Sequence, residues 1–195
     1  MLTGRSEPAL DAPRFYAGRM LLALPGMGDP NFDHSAIAMC VHDENGAMGV
    51  DVGRVIEGLS MAELVANFGV DAAHLTHVPV LRGGPVEPQR GFVLHSRDWG
   101  GQDSIEVTPE WALSGSLDIL KAIGAGMGPD RFLMVLGYSG WGAGQLEHEM
   151  RMHGWFLGEH IPEDLPAIQP ARRWDACFSA CGVDSRLLCS GMGEA

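Results

Sequence analysis

The stretch Leu133–Glu149 constrains this chain more than any other: LMVLGY, then SGWGAGQ, then LE and HE. It reads as a buried strand, a glycine-rich turn and the start of a helix. Such strand-to-helix turns often place backbone N–H groups around a ligand. The turn lacks the side chains that would name that ligand.

The chain has 195 residues, enough for one domain with a real core. Residues 1–14 mix Pro, Ala, Asp and Glu without periodicity and read as a flexible N-terminal tail, leaving 15–195 as a single compact domain. The N-terminus has no continuous apolar run of the secretory kind, and no apolar stretch is long enough to span a bilayer, so a cytoplasmic protein without a membrane partner is expected. Net charge is -12 and Lys121 is the only lysine. Phosphate backbones are repelled by such a field, which disfavours direct DNA binding.

Several elements follow from local pattern. Glu44-Asn45-Gly46 marks a hairpin between strands at Ser35–His42 and Ala47–Val52. Ser60-Met61-Ala62-Glu63 fits a capping box that opens a helix ending at Gly69. Val78–Leu81, Gly91–His95, Ser104–Val107 and Leu133–Tyr138 read as further strands. Ser116–Ile123, Gly144–His153 and Pro170–Cys181 read as helices. Hairpins mixed with helices argue for a mixed sheet rather than a purely parallel one.

Known catalytic patterns are approached and missed. Gly137-Tyr-Ser139-Gly140-Trp141 has tryptophan where a nucleophile elbow needs glycine. Gly137 and Gly142 have the P-loop gap but no Lys-Ser/Thr follows, and Gly140-Trp-Gly142-Ala-Gly144 is one residue short of the dinucleotide pattern. His148 and His153 are five apart, so they do not share a helix face as a zinc pair would; His148, Glu149 and His153 read as a solvated face. Cys177 and Cys181 match the apolar face of Trp174 and Phe178 and read as core, not redox, cysteines. No metal and no cofactor is expected.

In order along the chain stand Gly18–Pro25 with Asp29 and Phe32, Gly46-Ala-Met-Gly-Val50, Arg82-Gly-Gly-Pro-Val86, Gly91-Phe-Val-Leu-His95 and Gly137-Tyr-Ser-Gly-Trp-Gly-Ala-Gly-Gln-Leu-Glu147. Together they resemble the AlgH/YqgE family of bacterial proteins, over roughly residues 15–193. The resemblance implies an α/β mixed (α+β) fold, with a bulged, coiled mixed β-sheet and flanking helices. It implies no settled activity; members are often labelled transcriptional regulators. Asp51 and His153 stand where the family usually has asparagine.

Two readings of function follow. The first is a regulatory or protein-interaction role without catalysis, with another protein as partner. The alternative is a small-molecule-binding protein or hydrolase-like enzyme built on Gly137–Glu147. Its ligand-binding candidates are Gly83, Gly84, Pro85, Tyr138, Gly140, Trp141, Gly142, Gly144 and Gln145. Its catalytic candidates are Ser139, Glu147 and His95, with Ser139 or Tyr138 handling a proton or attacking and Glu147 or His95 as base.

Overall fold

A computed structural model describes residues 15–152 and 154–189, short of the side chain of Cys189. The expected tail and His153 lie outside the described residues. Ten strands form one curled sheet: β1 (Arg19–Ala23), β2 (Ala36–Asp43), β3 (Gly46–Asp51), β4 (Val55–Ser60), β5 (Pro79–Arg82), β6 (Val86–Ser96), β7 (Ser104–Glu106), β8 (Trp111–Ser114), β9 (Phe132–Gly142) and β10 (Trp155–His160). The main order is β10-β1-β2-β3-β9-β6-β8-β7, with β4 and β5 joined to β9 as a side branch. All pairings are antiparallel except β5 on β9. The helices are short: α1 (Met61–Ala66), α2 (Leu117–Gly124), α3 (Gln145–Arg151), α4 (Arg173–Ala180) and α5 (Ser185–Cys189). The fold is therefore mixed α/β, as the resemblance implies, but dominated by strands.

The hairpin and the capping box form where expected. The β2–β3 turn is centred on Glu44 and Asn45, and the Asp43 carboxylate accepts the Asn45 N–H at 2.7 Å. Ser60 accepts the Glu63 N–H at 3.3 Å while Glu63 accepts the Ser60 N–H at 2.7 Å. The expected turn at Ser139–Gly142 is instead strand: β9 runs on to Gly142 and pairs with β3 there.

Two faces of the sheet are buried differently. On one face, Leu22, Ala38, Val50, Phe92, Leu94, Leu113 and Val135 meet Trp174, Cys177 and Phe178 of α4. The other face carries two patches. Val80, Val93 and Met134 lie under α1 and α2, and Ala47, Ile37 and Trp141 lie beside Leu146 of α3.

Strand β9 changes phase between these patches. Leu133 and Val135 share the α4 face with Tyr138, whereas a strict alternation would put Tyr138 opposite. Gly137, at φ +74°, supplies the bulge that turns Ser139 and Trp141 to the other side.

Candidate functional site

The same edge of β9 serves two neighbours in succession. β5 pairs with Met134–Leu136 in parallel, and β3 pairs with Ser139–Gly142 antiparallel. The carboxyl ends of β3 and β5 therefore meet head to head opposite Gly137. The Asp51 N–H donates to Gly83 O at 2.8 Å, and the Gly83 N–H donates to Leu136 O at 2.8 Å, closing the join. In open parallel α/β sheets ligands bind in crevices beyond the carboxyl ends of the strands; here two such ends meet in a sheet that is otherwise antiparallel.

Two glycines make the join possible. A Cβ on Gly84 would sit 2.2 Å from the carbonyl carbon of Tyr138, and one on Gly137 would sit 2.6 Å from Gly84 O. Both residues also hold positive φ. The GGPV turn and the GYSG bulge are thus two halves of one backbone contact.

A cleft of about 280 Å³ opens at this point, lined by Asn31, Phe32, Asp51, Arg54, Ile56, Arg82, Gly84, Pro85, Pro88, Leu136 and Ser139. Ser139 is 1% exposed and its hydroxyl is buried with no hydrogen-bond partner among the described residues. Asp51 is also buried; its Oδ1 accepts the Gly53 N–H at 2.8 Å and its Oδ2 lies 3.6 Å from Arg54 Nε. Burial pushes the Asp51 carboxyl above the ordinary range, against the Ser35 hydroxyl, the Gly53 N–H and the Arg54 guanidinium, which favour its charge. The Arg54 guanidinium also donates to the carbonyl oxygens of Asp33 and, at 3.5 Å, Pro30. Arg82 is exposed at the mouth.

A larger groove of about 510 Å³ runs between Val78–Pro79, Asp130–Met134 and Glu163–Pro170. Its two arginines are already engaged. Arg131 pairs with Glu163 at 2.8 Å, and the buried Arg173 donates to the carbonyls of Leu165, Ile168 and Val52 at 3.1, 3.0 and 2.6 Å.

Of the residues singled out in the sequence, the cleft gathers Gly84, Pro85 and Ser139. Gly83 and Tyr138 contribute backbone to the join beneath it. Gly140, Trp141 and Gly142 lie in β9 beside β3. The Gly142 N–H is taken by Gln145 Oε1 at 3.0 Å, and Gly144 caps α3 with a left-handed φ of +72°.

The three catalytic candidates stand apart. His95 faces Phe132 at the far end of β9, seven residues from Ser139 and about 20 Å away at strand rise. Its Nδ1 lies 2.8 Å from Ser96 O, so this nitrogen carries the proton, and Nε2 accepts from the Ser114 hydroxyl at 2.9 Å. Glu147 instead meets His42 Nε2 at 3.1 Å. His42 Nδ1 accepts the Tyr16 N–H at 2.9 Å, so Nε2 is the donor to Glu147. Among the described residues, no hydrogen bond links Ser139 to either group.

Glu149, read as part of a solvated face, is a hub. Its Oε2 accepts both the Trp141 and Trp155 indole N–H groups at 2.9 Å, and its Oε1 accepts from Gln145 at 2.9 Å. Burial raises the Cys177 thiol to about 11 and the Cys40 thiol to about 12, which suits packing rather than redox chemistry. No cluster of three His, Cys, Asp or Glu fit to hold a metal occurs among the described residues. No helix among them is long and apolar enough to cross a membrane.

Asp51 is marked in the sequence as a departure from the family and Arg82 as part of the RGGPV stretch, but sequence reasoning does not place them, or Arg54, beside Ser139. The signal was present in the positions: Asp51 ends one strand and Arg82 ends another, each followed within two residues by glycine.

Comparisons with known proteins agree with this fold. A UPF0301 protein of Novosphingobium aromaticivorans is 52% identical over 181 residues, covering 93% of this chain and 97% of the relative. One from Sphingopyxis alaskensis is 52% identical over 184 residues, covering 94% and 98%. The solution structure of the AlgH protein from Pseudomonas aeruginosa matches with a TM-score of 0.76 at 38% identity, covering 96% of this chain and all of that one. A crystal structure from Corynebacterium diphtheriae, at 16% identity, shares the fold alone, with a TM-score of 0.70 over 96% of this chain and 95% of that one. The family model described as AlgH-like matches residues 20–186, and the chain belongs to that family.

Proposed function

We propose that this protein binds a small molecule in the cleft where β3 and β5 meet along β9. The observation that carries this reading is Ser139: it lines an open cleft together with two arginines, and its buried hydroxyl has no partner among the described residues. A buried hydroxyl left unsatisfied costs about 1–3 kcal/mol, and a ligand that accepts from it recovers that cost. The cleft lies at the small end of ligand pockets and is lined by both apolar and polar groups, as binding sites are. Catalysis is not part of the proposal, because neither candidate base touches Ser139.

The test is native mass spectrometry of the gently purified full chain. A reproducible bound mass, lost in Ser139→Leu while the fold is kept, supports the reading. A bare chain whose cleft amide resonances also fail to respond to a small-molecule extract sinks it.

A second reading is a regulatory protein that works through contact with another protein. The net charge of -12 favours it over direct operator binding. A DNA titration that gave tight, steeply salt-dependent binding would reverse that preference.

A further inference from the structure

We infer that the cleft's ligand is a small carboxylic acid, its carboxylate held by Arg82 and the Ser139 hydroxyl and its apolar body against Phe32, Ile56, Pro88 and Leu136. This rests on the cleft being a ligand site and adds the ligand's chemistry.

Charge comes first. The chain as a whole carries 25 Asp and Glu against 13 Lys and Arg. The cleft reverses that balance: two guanidiniums, Arg54 and Arg82, face one carboxyl, Asp51, among its lining residues. Arg54 is occupied, through the Asp33 and Pro30 carbonyls and Asp51. Arg82 is not: its backbone N–H is bound to Arg54 O at 2.8 Å, but no hydrogen bond or ion pair engages its guanidinium among the described residues. An unpaired cation at the mouth of a cleft attracts an anion locally, against the repulsion of the net charge of -12.

The hydroxyl narrows the class. Ser139 lines the cleft, and its hydroxyl, unpartnered among the described residues, has one donor left for an acceptor that reaches it. A carboxylate takes the planar guanidinium fork with its two oxygens and keeps lone pairs for the hydroxyl. Phe32, Ile56, Pro88 and Leu136 add an apolar share to the lining, which suits a ligand with a hydrocarbon part. The volume of about 280 Å³ admits a molecule of metabolite size.

The experiment is a titration of the full-length, isotopically labelled protein followed through its amide resonances. The probes are straight-chain carboxylates from acetate to hexanoate, each against its neutral amide, with inorganic phosphate alongside. The expected result is a saturable shift of Gly84 and Ser139 with an optimum chain length. The acid binds at least tenfold more tightly than its amide, Arg82→Gln loses at least tenfold, and Ser139→Ala loses several-fold. Arg82→Lys, which keeps charge but not the fork, recovers only part. Equal binding of acid and amide overturns the carboxylate while leaving the cleft as a ligand site. Binding of phosphate in preference to every carboxylate also overturns it. No shift at the cleft with any probe overturns both this inference and the site beneath it. An unchanged spectrum of the free variants shows that a loss of binding is not a loss of fold.

Discussion

Trp141 and Trp155 donate to the same oxygen: both indole nitrogens lie 2.9 Å from Glu149 Oε2. One carboxylate thereby ties the end of β9 to the start of β10 across α3. Gln145 extends the clasp, donating to Glu149 Oε1 and accepting the Gly142 N–H. Glu149→Ala leaves two largely buried indole N–H groups unpaired and should cost about 2–4 kcal/mol in denaturant unfolding. Glu149→Gln should cost less, because its carbonyl can still take both indoles, with its amide then facing that of Gln145. A cost below 1 kcal/mol for the alanine variant, in the same assay, would show the clasp to be dispensable.

The buried Asp51 sets a pH dependence. Its carboxyl is raised above the ordinary range by burial. A raised acid holds its proton more tightly when folded, so between the unfolded value of about 3.9 and the raised folded value, stability falls as pH rises. Above that window the cost of the buried charge is fully present. Asp51→Asn should therefore be more stable than the parent at neutral pH, with the difference fading below about pH 4. Paired thermal melts across pH would show it; a variant less stable at neutral pH would mean that the Arg54 pair outweighs desolvation.

The backbone contact under the cleft tolerates no side chain. Gly84→Ala would drive its Cβ to 2.2 Å from the Tyr138 carbonyl carbon, with no flexible atom to yield. The variant should lose more than about 2 kcal/mol, from the clash and from strain at positive φ. Gly126→Ala, at a φ of +70° with open space around it, gives the smaller cost of left-handed strain without a clash. Equal losses in the two variants would remove the contact as the cause.

Thiol chemistry separates the cysteines. Cys40 and Cys177 are buried and their thiols are raised to about 12 and about 11, whereas Cys181 is only half-buried. At pH 8 the native protein should be alkylated at Cys181 well before Cys40 or Cys177, which should react only on unfolding. Peptide mapping after timed alkylation reads this directly; early labelling of Cys177 would contradict its place in the core.

Local signals were legible where one short segment decides the outcome. The capping box at Ser60 and Glu63 and the Asn45-Gly46 hairpin formed as read, because their partners lie within a few residues. Strands β4, β8 and β10 were not recognised, since Val55–Ser60, Trp111–Ser114 and Trp155–His160 gain strand character from partners distant in sequence. The glycines of the GYSGWG segment looked like a turn because glycine weakens a strand; here they let β9 bulge and let Gly84 approach. The candidate site was half visible. Gly84, Pro85 and Ser139 carry recognisable motifs, while Asp51, Arg54 and Arg82 join them only through the meeting of two strand ends.

That meeting also fixes an order of assembly. Hairpin β2–β3 and the β6–β8 pair close over short spans, but the strand edge that β3 and β5 share belongs to β9, some ninety residues after β3. A nascent chain stopped before Phe132 already contains Asp51, Arg54 and Arg82, with the Asp51–Gly83 and Arg82–Arg54 backbone bonds available to it but without the edge of β9 that aligns both strands. The pocket is thus a late product of translation, and its two cationic side chains spend that interval without the hydroxyl they will later accompany.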